Sequence, residues 1–528
     1  MRMVRRGHMV WAAVMLGLVS LALAWATGGI TRSFLGPDES AHYVNTLFIA
    51  DWLCAGLPDP MPFARDFYAH YPKLSIGHWP PGWYAVLAPG FALLWPSPFA
   101  AALWSAFVAG LPAVLVLWAL NRAGAPRMGL AAAVAMQTLP LVVGSAQSFL
   151  LDQPVALVVG LGAIAWLRAV EEPGWWRFAL FGMLAAFAPL VKGNGALIAL
   201  VPAIEILLAR RWALLRDLRL WVVGVAVLLV VAPWYYVSFR ISAGGFNYAP
   251  GLDYAWLALS TNVGALIGDL GWIALPLMAI GAVAGWRDER ARPVVRLAIA
   301  VIVATLTLQS IVPAALDPRY ILPLIPWTVM LVALAIVLIW RSGTRAARGI
   351  AVLAGVAALV LPVAALVRAE PKRDMDAPAV VAVMRAVPGI WMVDGRAGGE
   401  GAIIAEAAWQ DRGRRALWTA RASQWLSGSD FMGRGYHLIA RTPGEAAAIL
   451  ARIGVSGAVI VRDRMRDAYP HSAILTRAVE GGAYQVRRRP FAKGEGEVVI
   501  ATHRGGVTPH PELLAQGGGS ANLDAMTR

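Results

Sequence analysis

The chain has 528 residues, of which 59% are hydrophobic and 15% are charged, and its formal net charge at pH 7 is +15. Soluble domains are nearer half apolar and a quarter charged, so this composition predicts a polytopic membrane protein. The single cysteine, Cys54, excludes an internal disulfide framework and a cysteine-built zinc site. The net positive charge could indicate a nucleic-acid partner, so the placement of the arginines along the chain has to be considered.

Apolar segments near the length of a membrane-spanning helix occur eleven times, taking about 20 residues per helix as the yardstick. They cover residues 10–30, 99–120, 128–147, 153–168, 177–191, 194–209, 220–239, 262–285, 297–314, 320–340 and 349–367. The fifth and sixth are short and are joined by a glycine-containing break. The first also resembles a signal peptide ending at Ala22-Leu23-Ala24, but the regular alternation of the later spans favours an uncleaved helix.

The loops between these segments alternate in positive charge, with eighteen arginines on one side and seven cations on the other. The richer side holds Arg2, Arg5, Arg6, Arg122, Arg127, Arg168, Arg177, Arg210, Arg211, Arg216, Arg219, Arg287, Arg290, Arg292, Arg296, Arg341, Arg345 and Arg348. The poorer side holds Arg32, Arg65, Lys73, Lys192, Arg240, Arg319 and Arg368. The positive-inside rule therefore predicts a cytoplasmic N-terminus and an extracytoplasmic C-terminal region in a bacterial-type inner membrane. Topology thus explains the arginines, and no nucleic-acid partner is predicted.

Three regions follow from composition. Residues 1–369 form the predicted bundle, residues 370–505 a small extracytoplasmic domain, and residues 506–528, with Gly517-Gly518-Gly519, a disordered tail. A long polar first outer loop covers residues 31–98. No tandem repeat is evident.

The first outer loop contains two predicted helices. The stretch from Asp38 to Leu53 reads as an amphipathic helix, with apolar residues about one turn apart. Residues 82–95 follow Pro80-Pro81 and are too short to span, so they predict an interfacial helix. Counting that segment as a span would place the later arginines outside, which the charge pattern rejects.

The C-terminal region alternates β-like and helix-like runs. The predicted strands are 389–393, 437–440 and 457–461, and the predicted helices are 400–410 and 443–453, the second capped by Thr442. Such alternation is typical of a small α/β domain. The region carries no glycine-rich phosphate loop and no metal-ligand cluster.

Polar residues gather beside helix ends on the predicted outer side. They are Asp38, Glu39, Lys73, His78, Asp152, Lys192, Asp317 and Arg319. Desolvating two adjacent carboxylates is costly, so the Asp38-Glu39 pair indicates chemistry more than packing. Acids and bases at one membrane surface suit a site for a charged lipid headgroup.

Six short motifs occur in a fixed order along this side of the bundle. They are Asp38-Glu39, the Pro80-Pro81 helix start, Leu151-Asp152-Gln153-Pro154, Leu190-Val191-Lys192-Gly193, Ala232-Pro233-Trp234-Tyr235 and Asp317-Pro318-Arg319-Tyr320-Ile321-Leu322-Pro323. The succession resembles family 39 glycosyltransferases of the GT-C class, which include protein O-mannosyltransferases and lipid A aminoarabinose transferases. It covers most of residues 1–345. The resemblance implies a GT-C-like bundle and an inverting hexosyl or pentosyl transfer from a polyprenyl-phosphate-linked donor to an extracytoplasmic lipid, glycan or protein.

The resemblance also suggests roles for the acids. Transfer from a lipid phosphate needs a base for the acceptor proton and cations for the departing phosphate. Asp38 matches the family's first-loop acid and is the candidate base, and Asp152 matches a second family acid. Glu39 would position the acceptor or support Asp38. The alternatives are a helix-start carboxylate for Glu39 and an N-terminal cap for Asp152.

The candidate phosphate ligands are four cations. Arg319 suits phosphate because a guanidinium forks onto its oxygens, and Lys192 at the helix break fits as a second cation. For both, snorkelling to the headgroups is the alternative. Many family members carry lysine where this chain has Trp79, so Lys73 or His78 would substitute there.

No cofactor is predicted. Glu39 and His42 share one helical face, as a pair of metal ligands would, but no third ligand is recognisable. A divalent cation, which some GT-C relatives use, is the alternative.

Two other classes of function compete with an enzyme. A transporter or flippase would place ionisable groups near the membrane midplane and would often show inverted repeats. Here the acids cluster at one surface and no repeat is evident, which favours the transferase. A non-catalytic assembly scaffold with an outer domain is the third candidate.

Overall fold

The computed structural model describes residues 6–412, 415–462 and 469–516. Up to residue 367 the described chain is almost entirely helical. Its α-helices are α1 (Arg6–Ala26), α2 (Glu39–Cys54), α3 (Pro60–His70), α4 (Gly82–Leu94), α5 (Pro98–Ala109), α6 (Ala113–Arg122), α7 (Pro126–Gln137), α8 (Pro140–Ala146), α9 (Asp152–Glu171), α10 (Trp175–Val191), α11 (Leu200–Ala209), α12 (Leu218–Ala243), α13 (Leu252–Leu270), α14 (Ala274–Arg287), α15 (Arg292–Ile311), α16 (Ile325–Arg341) and α17 (Arg345–Val367). The 3₁₀ segments among them are Gly193–Ala199, Trp212–Arg216 and Pro318–Leu324.

All eleven predicted apolar segments are helical, but not all are straight spans. Within the described residues, seven helices are long and apolar enough to cross a membrane, or nine when two bent pairs each count as one. The other two predicted segments are the shorter helices Trp175–Val191 and Gly193–Ala209. The polytopic helical bundle expected from the sequence is therefore confirmed, with fewer full-length straight spans than predicted.

Two predicted spans are broken helices. The segment 128–147 consists of α7 and α8, which meet at 66°, and the segment 262–285 lies on α13 and α14, which meet at 97°. Pro140 begins α8, and Gly271 ends α13 with a φ of +81°. A proline cannot continue the preceding helix, which explains the break at Pro140. Glycine adopts positive φ without steric cost, which explains the break at Gly271.

Helices α9 and α16 form the centre of the bundle. About four-fifths or more of their apolar stretches is buried (78% in the α9 span and 89% in the span that ends with α16), against 6% for α12. Trp166 on α9 and Trp327 on α16 are fully buried. The candidate site lies where these two central spans begin, at Asp152 and in the segment Pro318–Leu324.

The first outer loop folds onto the bundle as three helices, α2 to α4. Residues 39–50 of α2 are all buried, so the amphipathic prediction for this helix was wrong. Helix α4 packs on one side of α2, and α19 (Ala397–Gln410) from the C-terminal region packs on another. The expected short helix after Pro80-Pro81 is present as α4, which has exposed leucines at its end, Leu93 and Leu94.

The C-terminal region is a three-layer α/β unit. Its elements are α18 (Ala377–Ala386), β1 (Gly389–Asp394), α19, β2 (Leu417–Arg421), α20 (Ala422–Trp425), β3 (Ser427–Gly428), β4 (His437–Leu438), α21 (Pro443–Ile453), β5 (Val455–Arg462), α22 (Pro470–Glu480), β6 (Tyr484–Pro490) and β7 (Glu497–His503). The main sheet has the order β2-β1-β5-β7-β6, in which β1 is parallel to β2 and β5, and β7 is antiparallel to its neighbours. Along β1, Ile390 and Met392 join one apolar cluster while Trp391 and Val393 join the other, so both faces are covered.

Several predictions for this region need correction. The predicted strand 437–440 is only the two-residue β4, which pairs with β3 outside the main sheet. The expected disordered tail does not begin at 506, because Pro511–Gln516 forms a 3₁₀ helix whose Leu514 is buried. Residues 517–528 lie outside the described residues.

The α/β unit is docked on the first outer loop. Thr419 Oγ1 donates to the carbonyl oxygen of His70 at 2.7 Å, next to the start of the sheet. The indole nitrogens of Trp95 and Trp409 each donate to the other's carbonyl oxygen, at 3.0 and 2.9 Å. The loop that carries Asp38 is therefore enclosed between the bundle and the α/β unit.

Candidate active site

Asp38 and Arg319 meet at the entrance of the bundle. Asp38 immediately precedes α2, and its Oδ2 accepts a hydrogen bond from Arg319 Nη2 at 2.5 Å. Arg319 is held by Asp317, whose Oδ1 accepts from the Arg319 amide at 3.1 Å and whose Oδ2 lies 3.0 Å from its Nε. The guanidinium therefore lies between two carboxylates, with about a fifth of its side chain exposed.

Asp152 and Lys192 form a second and deeper pair. Lys192 Nζ lies 2.5 Å from Asp152 Oδ1, and the Asp152 side chain is 1% exposed. Asp152 begins α9, while Lys192 follows α10 in an extended conformation at the break before Gly193–Ala199. The second oxygen of Asp152 has no hydrogen-bond partner among the described residues.

Tyr320 joins the two pairs into one site. Lys192 Nζ lies 4.5 Å from the centre of the Tyr320 ring, and the Arg319 guanidinium carbon lies 5.6 Å from it. Both distances are in the range in which a cation is attracted by an aromatic face. The sequence analysis placed Asp38, Asp152, Lys192 and Arg319 on one surface, and the structure brings them together.

The charge state of Asp38 is set by two opposing effects. Burial would raise the pKa of its carboxyl, but the charge of Arg319 and its hydrogen bond outweigh burial and hold that pKa below the usual value. Asp38 is therefore a carboxylate near neutral pH and is able to accept a proton.

Glu39 faces away from this pair. Its carboxylate is 1% exposed, accepts a hydrogen bond from the Gly36 amide at 2.7 Å, and forms an ion pair with Lys372. Lys372 also donates to the carbonyl oxygen of Gln147 at 3.0 Å. Glu39 is therefore placed to stabilise the turn that carries Asp38. The sequence analysis missed Lys372, although it is one of only four lysines in the chain.

His42 lies one turn after Asp38 in an aromatic setting. Its Nδ1 is 2.7 Å from the hydroxyl of Tyr84, and its ring packs against the edge of Trp79 at 4.6 Å between centroids. Burial lowers the pKa of His42 to about 3, so the ring is neutral near pH 7. Glu39 pairs with Lys372, and His42 lies at hydrogen-bond distance from Tyr84. Among the described residues, no group of three His, Cys, Asp or Glu is placed to hold a metal ion.

Lys73 and His78 are directed toward the C-terminal unit. Lys73 Nζ donates to the carbonyl oxygen of Ala397 at 3.1 Å, and burial lowers its pKa to about 8. His78 stacks on Phe431 at 3.6 Å between ring centroids, and burial lowers its pKa to about 4. A neutral stacked ring does not supply the positive charge that the sequence analysis expected of His78. Trp79 is instead part of an aromatic wall, in which its ring packs between those of His42 and Phe431.

A small, mostly apolar groove lies beside Asp152. Its walls come from α4, α5 and the start of α9. The lining residues are Trp83, Leu87, Trp104, Ser105, Val108, Phe149, Leu150, Leu151 and Pro154. Leu151 immediately precedes Asp152, so an apolar chain in the groove would bring its polar end to the Asp152–Lys192 pair.

Comparisons with known proteins found one matching family model and several solved structures with a similar fold. A family model described as dolichyl-phosphate-mannose-protein mannosyltransferase matches residues 78–237, which include Asp152 and Lys192. No curated protein matches the sequence.

Solved structures match over nearly the whole chain. ArnT from Cupriavidus metallidurans in the apo state has a TM-score of 0.57 at 17% identity, with 92% of this chain and 97% of that chain covered. The same protein bound to undecaprenyl phosphate has a TM-score of 0.55 at 17% identity and the same coverage. The Archaeoglobus fulgidus oligosaccharyltransferase in the apo form has a TM-score of 0.57 at 12% identity, covering 93% of this chain and 75% of that chain. These likenesses confirm the fold expected from the sequence.

Proposed function

We propose that this chain is an enzyme of the GT-C class that transfers a sugar from a polyprenyl-phosphate donor to an acceptor outside the cytoplasm, with inversion at the sugar. Two solved structures with this fold hold such lipids: ArnT is bound to undecaprenyl phosphate, and the archaeal oligosaccharyltransferase AglB is in complex with dolichol-phosphate and an inhibitory peptide. The acceptor class stays open between lipid, glycan and protein.

The observation that supports this function best is the pairing of two carboxylates with two cations around Tyr320. Without a donor, Arg319 is neutralised by Asp38 and Lys192 by Asp152. A phosphate entering between the cations replaces the carboxylates as their partner, because guanidinium and ammonium groups bind phosphate oxygens strongly. Each cation thus has an anionic partner both with and without the donor.

The reaction follows from these positions. Asp38 accepts the proton of the acceptor hydroxyl or amine as that atom bonds to the anomeric carbon. The bond from the anomeric carbon to the phosphate oxygen breaks, and its electron pair leaves on the phosphate. Arg319 and Lys192 stabilise the charge that develops there. A single displacement from the face opposite the phosphate inverts the configuration.

We place the lipid part of the donor along the groove beside Asp152. Its walls are apolar and open beside the helix ends, so an isoprenoid chain would replace membrane lipid there while its phosphate reaches Lys192. A transporter would need its polar groups nearer the membrane midplane.

The test is turnover by purified protein in lipid nanodiscs. We expect polyprenyl-phosphate mannose or polyprenyl-phosphate aminoarabinose to release free polyprenyl phosphate in the presence of a cell-envelope acceptor fraction. Mass spectrometry measures the lipid product, and NMR of the anomeric proton reports the configuration. Retention of configuration, or no release from a panel of hexosyl and pentosyl donors, would contradict the proposal.

A further inference from the structure

A short hairpin of the C-terminal unit reaches back over the candidate site. Strands β3 and β4 pair antiparallel, and the loop between them, residues 429–436, carries Phe431 and Arg434. Phe431 stacks face to face on His78 and meets Trp79 at 6.2 Å in an edge-on arrangement. About half of the Phe431 side chain is still exposed.

The aromatic contacts continue inward to the turn that carries Asp38. Trp79 packs on His42, and the His42 amide donates to the carbonyl oxygen of Asp38 at 2.9 Å. Phe431, Trp79 and His42 therefore form a row of rings that begins at the surface and ends beside the candidate base. Trp79 and His42 lie in the loop that holds Asp38, whereas Arg319 and Lys192 lie on the bundle.

Arg434 fastens the hairpin to another outer loop. Its Nη1 donates to the carbonyl oxygen of Phe246 at 2.9 Å and its Nη2 to that of Gly244 at 2.7 Å, just after α12. The same stretch is tied to the aromatic wall, because Ser242 Oγ donates to the carbonyl oxygen of Gly77 at 3.0 Å. The hairpin thus joins two separate outer loops of the bundle.

The β3–β4 hairpin has features typical of a segment that moves away from its contacts by local opening. Among the described residues, Phe431 and Arg434 make its contacts to the loops of the bundle, while Tyr436 holds its base to the α/β unit by stacking on Tyr469 and lying 2.9 Å from His471. Its own pairing is only two residues long on each side. Gly433 and Gly435 adopt positive φ values of +79° and +68° in the loop between them. Few buried contacts and a glycine-containing turn are typical of segments that open locally.

We propose that the hairpin is the acceptor-side gate of the active site, and that Phe431 is the residue that selects the acceptor over water. This inference rests on the proposed transfer. Water carries the same reactive group as a hydroxyl acceptor, so an open site hydrolyses the donor: the water oxygen bonds to the anomeric carbon, the phosphate leaves, and Asp38 takes the proton. Excluding water is a known purpose of such closures.

The first test compares hydrolysis with transfer. We expect Phe431→Ala to raise the ratio of free sugar to transferred sugar by about three- to tenfold, the range that follows from losing one aromatic pair. Phe431→Tyr keeps the stack and should keep the wild-type ratio. Met432→Ala, a neighbouring apolar truncation on the same loop, is the matched control. An unchanged ratio in Phe431→Ala, with wild-type folding, would overturn the gate.

The second test does not need activity. 4-Fluorophenylalanine at position 431 gives a fluorine NMR signal that is shifted by the His78 ring when the hairpin is closed. We expect Arg434→Ala to move this signal toward that of the His78→Ala protein, in which no stack forms. One signal unaffected by either change would overturn the gate. Gating signals without sugar release in any variant would contradict the proposed function alone, and transfer without any Phe431 effect would contradict the gate alone.

Discussion

Arg319 lies near the start of a buried span and contacts two carboxylates. Pro318 begins the 3₁₀ segment at the outer end of the most buried span, and Asp317 accepts from the Arg319 amide, so the backbone position of the arginine is fixed. Its guanidinium is shared between Asp38 and Asp317. An arginine that only anchored the helix in the headgroup layer would not need two carboxylates directed at it.

This arrangement predicts a graded effect of substitution at Arg319. Lysine keeps the charge but cannot reproduce the planar fork, so we expect Arg319→Lys to weaken binding of polyprenyl phosphate and to slow turnover. Arg319→Ala should weaken binding by about 1–2 kcal/mol more, on the order of a charge-assisted hydrogen bond. Titration of nanodisc-embedded protein with polyprenyl phosphate measures both.

Arg415 offers the matched control, because it also contacts two carboxylates, Asp51 and Asp66, away from the bundle. Arg415→Lys should leave lipid affinity unchanged. Equal affinity in the wild type, Arg319→Lys and Arg319→Ala would make Arg319 a membrane anchor and leave Lys192 as the phosphate ligand.

The sequence predicted the members of the site but not their pairing. Topology alone places Asp38, Asp152, Lys192 and Arg319 at one surface, because helix ends on the same side of a bundle are neighbours. That Asp38 meets Arg319, 281 positions away, depends on how the helices pack. The sequence also does not show that His78 stacks on Phe431, which belongs to a distant part of the chain, or that burial lowers the pKa of its ring.

At the scale of elements, the linker between bundle and α/β unit is part of the site's support. Lys372 in the linker pairs with Glu39 at the first position of α2, and Asp374 accepts from the Arg32 amide at 2.9 Å and from Ser33 Oγ at 2.7 Å. The residues on either side of Asp38 are thus held by the chain that follows the last membrane helix.

Removing Lys372 should therefore destabilise this region. Lys372→Met leaves the Glu39 carboxylate buried without its cation, which we expect to cost about 3–5 kcal/mol of folding stability. Replacing both charges, in Glu39→Gln with Lys372→Met, should restore much of that loss. Thermal unfolding in detergent measures the effect.

Lys493→Met is the matched control, since Lys493 donates to the carbonyl oxygen of Gly28 and its loss leaves no buried carboxylate unpaired. Its cost should be about 1 kcal/mol, that of an ordinary hydrogen bond. If Lys372→Met and Lys493→Met lose the same stability, or if the double variant is no better than Lys372→Met, the Glu39–Lys372 pair is not a support.

Three elements differ from the sequence-based predictions, each for a physical reason. Apolar length predicts that a segment is helical but not that it bends, so α13 and α14 read as one span. The amphipathic prediction for α2 assumed that one face of the helix contacts solvent, whereas residues 39–50 are all buried and the helix packs against α19. Strand β6, which the sequence analysis did not predict, carries three consecutive arginines, 487–489, and lies at the edge of the sheet, where exposed charge is tolerated.

At the scale of the whole molecule, the candidate site is an enclosure between two folded parts. The bundle supplies Asp152, Lys192 and Arg319, the first outer loop supplies Asp38, and the α/β unit covers that loop through α19 and the hairpin. The sequence predicted both parts but no contact between them. Their contacts, such as Trp95 with Trp409, are not visible in the sequence of either part.

The arginine distribution predicts how this assembly lies in the membrane. The N-terminus and the Arg341–Arg348 loop should be cytoplasmic, and residues 370–528 should be outside. Alkaline phosphatase fused after Arg368 should be active, and a fusion after Arg348 should be inactive. The reverse pattern would place the site on the cytoplasmic side and overturn the proposed donor and acceptor surfaces.

The central claim is that Asp38 is the base in sugar transfer from a lipid phosphate. Single-turnover transfer from radiolabelled polyprenyl-phosphate sugar tests it most directly, in the wild type, in Asp38→Asn and in the control Asp66→Asn, a carboxylate on α3 paired with Arg415. We expect Asp38→Asn to slow transfer by about 10²–10⁴-fold, the contribution of general-base catalysis, while lipid affinity persists and Asp66→Asn matches the wild type. Near-normal transfer by folded Asp38→Asn protein would contradict the account.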